Sequence, residues 1–172
     1  MRTALTIAGS DSSGGAGIQA DIKTMTANGV FALCAVTALT AQNTTGVTDI
    51  FDSTPHFLAE QLDAVFTDIF PDAVKIGMLA TPEVVRCVAD ALRRHRLTQV
   101  VLDPVMVATS GDRLMAEETK DVLVRELFPL ATVVTPNLDE AALLIGRPIA
   151  GVDGLEQAAR DLLDMGASAV VV

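Results

Sequence analysis

The apolar positions fall in short clusters that switch between two periodicities. Residues 3–8 form a run rich in β-formers, which predicts a strand. It ends in Gly9-Ser10-Asp11-Ser12-Ser13-Gly14-Gly15-Ala16-Gly17, too rich in glycine for a regular element. Residues 18–27 read as a helix closed by Asn28-Gly29. Residues 31–40 predict a buried strand, 42–46 a polar turn and 47–52 a further short strand. Pro55 opens a helix in which Leu58, Leu62, Val65, Phe66 and Ile69 recur at helical spacing. Residues 73–76 predict a strand ending at Gly77. Thr81-Pro82-Glu83 starts a helix with Val85, Val88, Ala89 and Leu92 on one face. Its basic end at 93–96 offsets the helix dipole. A strand at 99–102 runs into Asp103-Pro104, and a loop at 110–112 precedes a helix at 116–127. A strand at 131–134 runs into Thr135-Pro136-Asn137. Helices at 138–145 and 155–165 and a strand at 169–172 complete the pattern.

Such alternation builds right-handed βαβ units. It predicts a three-layer α/β/α fold with a mainly parallel central sheet, as a single domain over residues 1–172. The strands lack strict alternation, so both faces of the sheet are expected to be buried.

Composition narrows the function. Half of the residues are hydrophobic, enough for a core and too many for a disordered chain. Acidic residues outnumber basic ones 22 to 12, for a formal net charge of −10, which opposes binding to phosphodiester backbones. Aromatics make up only 3%, which removes the platforms for base stacking. Cys34 and Cys87 form no CxxC pair and read as small core residues in a chain of the reducing cytoplasm. The apolar stretch at 30–41 is too short to cross a bilayer. Neither nucleic acid nor membrane is an expected partner.

Candidate chemistry gathers at the strand ends. In a parallel sheet the C-terminal ends share one rim, where ligands bind. Here those ends are Gly9 with its glycine loop, Gln42-Asn43, Gly77-Met78, Asp103 and Asn137. Any one of them reads equally well as a turn residue or a helix cap. Five together point to a site. Gly15-Ala16-Gly17-Ile18-Gln19-Ala20 matches G-x-G-x-x-A, but Gln42-Asn43 stands where a dinucleotide site needs an acid for the ribose. What remains is close approach of a ligand to the backbone, with free N–H groups at the helix start for an anion or polar acceptor. Asp21, in the first turns of that helix, is either a dipole partner or an acceptor for ring nitrogens. Lys23 and Lys75 are candidate counterions, and no lysine follows a glycine as a Walker motif requires. Asn137 and Glu140 form an N-x-x-E helix start. With Asp103 they would make an oxygen-rich site suited to Mg²⁺ held through waters and phosphates. His56 and His95 have no triad or metal partners in the sequence and read as structural.

These segments resemble the hydroxymethylpyrimidine/phosphomethylpyrimidine kinases of thiamine biosynthesis, within the ribokinase-like superfamily. The resemblance runs from Ala4 to Asp21 through the glycine loop. It continues at Thr37-Ala38-Leu39-Thr40-Ala41-Gln42-Asn43-Thr44, Lys75-Ile76-Gly77-Met78-Leu79, Leu102-Asp103-Pro104-Val105-Met106 and Thr135-Pro136-Asn137-Leu138-Asp139-Glu140-Ala141. It implies a pyrimidine alcohol lying against Gly9, Asp21, Gln42, Met78 and Val105, with Asp21 and Gln42 reading its ring nitrogens and amine. It implies that Asp103, Asn137 and Glu140 position Mg²⁺ and the phosphates of ATP, and that the protein is a homodimer. In the resembling kinases a Lys-Gly-Gly-His segment follows, then a Gly-Thr-Gly loop beside the catalytic Cys or Asp. By this resemblance the chain is the N-terminal part of such a kinase, with its catalytic base expected beyond Val172, and alone it lacks phosphoryl transfer. Two alternatives stay open: a pyridoxal or pyridoxine kinase, and a truncated, non-catalytic pyrimidine-binding module.

Overall fold

Six strands form one sheet in a computed structural model of the chain, which describes residues 1–106 and 115–172. The elements begin with β1 (Thr3–Asp11), α1 (Gly17–Ala27), β2 (Phe31–Asn43), β3 (Gly46–Asp52), α2 (Pro55–Asp68) and β4 (Ala73–Ile76). There follow α3 (Pro82–Arg94), β5 (Val100–Leu102), α4 (Glu117–Leu127), a 3₁₀ turn (Phe128–Leu130), β6 (Val133–Val134), α5 (Leu138–Ile145) and α6 (Gly151–Asp164). The sheet order is β3-β2-β1-β4-β5-β6. Every neighbouring pair is parallel except β2 and β3, which form an antiparallel hairpin at the edge. The expected loop at 110–112 lies outside the described residues.

Register explains the core. Ile7, Ile76, Leu102 and Val134 stand side by side across β1, β4, β5 and β6, and each is fully buried. Leu58 of α2, Val85 of α3 and Leu123 of α4 pack into the same core, joined by Leu144 of α5 and Leu162 of α6. The next row, Thr6, Lys75, Val101 and Val133, faces the other way, toward the side of α1. The helix starts follow local chemistry. Thr54 and Thr81 cap α2 and α3 through their side chains, each with a proline in the first turn.

The chain leaves β1 toward β2 through α1, and later returns past it to β4 on the opposite flank. The crevice outside the ends of β1 and β4 is therefore the topological switch point, where such sheets bind ligands.

Several expectations are corrected. Burial on both faces does not hold for β4, β5 and β6, whose α1-side residues Lys75, Val101 and Val133 are partly exposed. Helix α1 packs chiefly on β1 and β2, and Asp21 meets β4 through the Lys75 ammonium. Cys34 is exposed rather than a core residue, although its register partner Thr6 on β1 is buried. The expected turn at 42–46 is shorter, since β2 pairs with β3 as far as Asn43 and Gly46. Helix α6 starts four residues earlier than its apolar periodicity indicates, at a glycine with φ of 66°. The expected terminal strand reduces to a single bridge of Val170 to Val134, because the two-residue β6 offers little edge. Among the described residues, no helix is long and apolar enough to cross a membrane.

Candidate functional site

The glycine loop is folded around one carboxylate. Asp11, at the end of β1, is buried. It accepts the backbone N–H groups of Ser13 at 2.8 Å, Gly15 at 2.9 Å and Ala16 at 2.8 Å, and the Ser13 hydroxyl at 2.8 Å. Burial pushes this carboxyl up, but the bonds from Ser13, Ala16 and Gly15 outweigh it and hold it below its ordinary 3.8. The loop's own acid thus takes the N–H groups of Gly15 and Ala16, which sequence reasoning left free for an anion. Asp11 itself was legible only as a residue of turn type followed by small residues.

Further bonds fix the loop in place. The Gln19 side chain accepts the Asp11 N–H at 2.9 Å and donates to the Ser10 hydroxyl at 2.7 Å. Gly17 has φ of 55°, and a Cβ there would lie 2.2 Å from the Gly9 carbonyl oxygen, so only glycine fits. Lys23 donates to the Gly14 carbonyl at 2.7 Å, which makes it a loop tether rather than a counterion inside the cleft.

Behind the loop opens a cleft of about 370 Å³ at the switch point. Gly9, Asp21, Gln42, Met78 and Val105, expected against the ring, all line it. Asp103, Asn137 and Glu140, expected on the phosphate side, line it as well. Thr6 donates its hydroxyl to Asp21 Oδ2 at 2.5 Å, and the Lys75 ammonium lies 3.3 Å from the same oxygen. Asp21 Oδ1 has no such partner among the described residues. The Thr40 hydroxyl lies 2.9 Å from the Ser10 carbonyl oxygen and 3.0 Å from the Gln42 side-chain oxygen, and its one proton serves one of them at a time. Met78 is nearly buried, and its sulfur sits 3.3 Å from where a Cβ on Gly9 would be.

Asn137 and Glu140 play both parts weighed for them. They cap α5 reciprocally: Asn137 Oδ1 accepts the Glu140 N–H at 2.9 Å, and Glu140 Oε2 accepts the Asn137 N–H at 3.0 Å. Burial raises the Glu140 carboxyl above its ordinary 4.5, and the charge of Asp103 pushes the same way against the pull of the Asn137 N–H. Asp103 is the more open of the two acids and pairs with Lys75 at 3.2 Å. No cluster of three or more metal-ligating side chains occurs among the described residues. Asp103 and Glu140 are hard oxygen donors of the kind Mg²⁺ takes one or two of when waters and substrate phosphates complete its shell. The histidines stand apart from the cleft. His95 ends α3 and stacks on Phe66 with ring centres 4.6 Å apart.

A mainly parallel sheet with an acid-lined crevice at its switch point defines an α/β protein of the class whose ligand sites lie at the strand rim. Its backbone matches that of a phosphomethylpyrimidine kinase from Clostridium difficile with a TM-score of 0.92 and 43% identity, over 99% of this chain and 74% of that one. It also matches a pyridoxal kinase from Staphylococcus aureus, solved with AMP-PCP and pyridoxal, with a TM-score of 0.87 and 34% identity. That match covers 99% of this chain and 61% of that one. The sequence is 52% identical over 170 residues to a hydroxymethylpyrimidine/phosphomethylpyrimidine kinase of Rhizobium meliloti. The alignment covers 98% of this chain, which spans 64% of the length of that relative. The model of the phosphomethylpyrimidine kinase family matches residues 11–172, and the chain belongs to that family.

Proposed function

We propose that this chain carries the pyrimidine-binding and phosphate-side parts of an ATP-dependent kinase domain of thiamine biosynthesis. Its substrate is 4-amino-5-hydroxymethyl-2-methylpyrimidine, and then the monophosphate of that alcohol. The observation that carries this reading is the pairing of two polar groups in one cleft. Asp21 presents an unengaged oxygen and Gln42 a side-chain amide, in the cleft that Gly9 and Met78 also line. An acceptor and a donor suit an aminopyrimidine edge, while Met78 and Val105 supply apolar contact to the ring. Asp103, Asn137 and Glu140 line the same cleft, and this reading assigns them to the phosphates that the hydroxymethyl group would meet. Bound Mg²⁺ supplies charge neutralisation for those phosphates. The chain's own groups orient the alcohol and hold the acids in place, since phosphoryl transfer depends chiefly on positioning and charge. A homodimer in a reducing cytoplasm belongs to the same proposal.

Calorimetric titration with the pyrimidine alcohol tests this. Saturable binding that drops at least ten-fold in Asp21→Ala is expected, as for loss of a charge-assisted hydrogen bond. A folded chain that shows no saturable binding counts against the proposal.

A pyridoxal kinase is the second reading, supported by the likeness to the Staphylococcus aureus enzyme solved with pyridoxal. Pyridoxal is also a flat ring bearing a hydroxymethyl group. A direct competition between the two alcohols separates the readings, and tighter binding of pyridoxal would favour the second.

A further inference from the structure

One cation bridges the two halves of the cleft. The Lys75 ammonium is 3.3 Å from Asp21 Oδ2 and 3.2 Å from Asp103 Oδ2. Asp21 stands on α1, beside the residues proposed to read the ring, whereas Asp103 follows β5 on the phosphate side. Lys75 reaches both because β4 lies between β1 and β5. Its side chain projects on the α1 face, in register with Thr6 and Val101. Gly77 leaves the room for it, since a Cβ there would stand 3.2 Å from the ammonium. The three side chains are only 17–32% exposed, so their charges are less screened than on an open surface.

A single ammonium shared by two carboxylates sets up a competition. When Asp103 is engaged or neutralised elsewhere, the ammonium pairs wholly with Asp21 and weakens that carboxylate as an acceptor. We infer that Lys75 is a positioning residue that couples the ring-reading carboxylate to the phosphate-side carboxylate, so that a change of charge at Asp103 alters pyrimidine affinity at Asp21. This rests on the pyrimidine reading above. By linkage, pyrimidine binding also changes what Asp103 offers to a cation.

A double-mutant cycle read by calorimetry, without nucleotide or Mg²⁺, tests the coupling. The pyrimidine alcohol is titrated into the unsubstituted chain, Asp103→Asn, Lys75→Met and the double variant. Circular dichroism checks each fold, and Lys75→Gln replaces the methionine variant if that one does not fold. Asp103→Asn is expected to weaken binding on the order of three- to thirty-fold while Lys75 is present, the range for residues in direct contact. The weakening should vanish without Lys75 and return in part in Lys75→Arg. An equal effect of Asp103→Asn in both backgrounds overturns the inference and leaves the pyrimidine reading standing. If the unsubstituted folded chain binds no pyrimidine, the reading falls and the coupling with it, before any variant is made.

Discussion

Ser12 and Gln42 hold each other by two reciprocal hydrogen bonds. The Ser12 hydroxyl donates to the Gln42 carbonyl oxygen at 2.7 Å and accepts the Gln42 N–H at 2.9 Å. The glycine loop after β1 is thereby pinned to the end of β2, 30 residues along the chain. Ser12 thereby extends the tie between the two segments that would enclose a ring beyond the β1–β2 ladder, which ends at Asp11 and Thr40. Replacement of Ser12 by Ala should cost about 1 kcal/mol in chemical denaturation, the ordinary net value of such bonds. It should also weaken pyrimidine binding, because both Gln42 and the loop lose their anchor.

Asp11 gives the loop a dependence on acid. Its carboxyl in the fold sits below its ordinary value of 3.8. Its contribution to stability is therefore complete above 3.8 and is lost as pH falls through the lower, folded value. Asp11→Asn should flatten the acid limb of a stability-versus-pH curve. It should also lower stability at neutral pH, since an amide has one accepting oxygen where the loop bonds to two. An acid limb unchanged by the substitution would show that other carboxylates set it.

Gly17 tests the backbone itself. An alanine there combines a left-handed φ of 55° with a Cβ 2.2 Å from the Gly9 carbonyl oxygen. Helix α1 would have to move away from β1. Gly17→Ala should lose roughly 2–4 kcal/mol by denaturant titration, at the upper end of single substitutions. Gly29, whose added Cβ would meet nothing within 4 Å, should lose less on the same change, since only its φ of 74° is strained.

Glu140 has the opposite sign from Asp11. Its carboxyl in the fold lies above 4.5, because burial disfavours the charged form. Its favourable contribution is full below 4.5 and is lost as pH rises through the folded value. Glu140→Gln keeps an oxygen for the Asn137 N–H and removes that loss. Thermal melts should show the two proteins alike in acid and the glutamine variant more stable at neutral pH. In the kinase proposed above, binding of Mg²⁺-nucleotide should weaken in the same variant. A glutamine variant less stable at neutral pH would mean that the charged cap outweighs its burial.

Much of the architecture was legible along the chain. Most strands and helices sit where their periodicity indicates, and the misplaced boundaries have separate causes. Val170 and the end of β2 depend on whether a neighbouring strand is present, which local pattern does not report. The start of α6 was hidden because its first turn, with Gly151 and Gly154, carries little apolar periodicity; an added Cβ at Gly154 would meet Ile149 only at ordinary distances. Cys34 looks apolar in sequence, but its exposure depends on which helices cover its face of the sheet.

The sequence by itself determined the alternation of elements, and hence a parallel sheet whose polar strand ends share one rim. That much follows from residue type and period, which act over a few positions. Only the tertiary structure decided that Asp11 consumes the N–H groups of its own loop and that Lys23 stays outside the cleft. It alone decided that Lys75 is divided between Asp21 and Asp103. Those outcomes turn on ångström-scale distances between groups on different strands and helices. Hydrogen bonds and ion pairs fall off over such distances, and sequence spacing carries no measure of them.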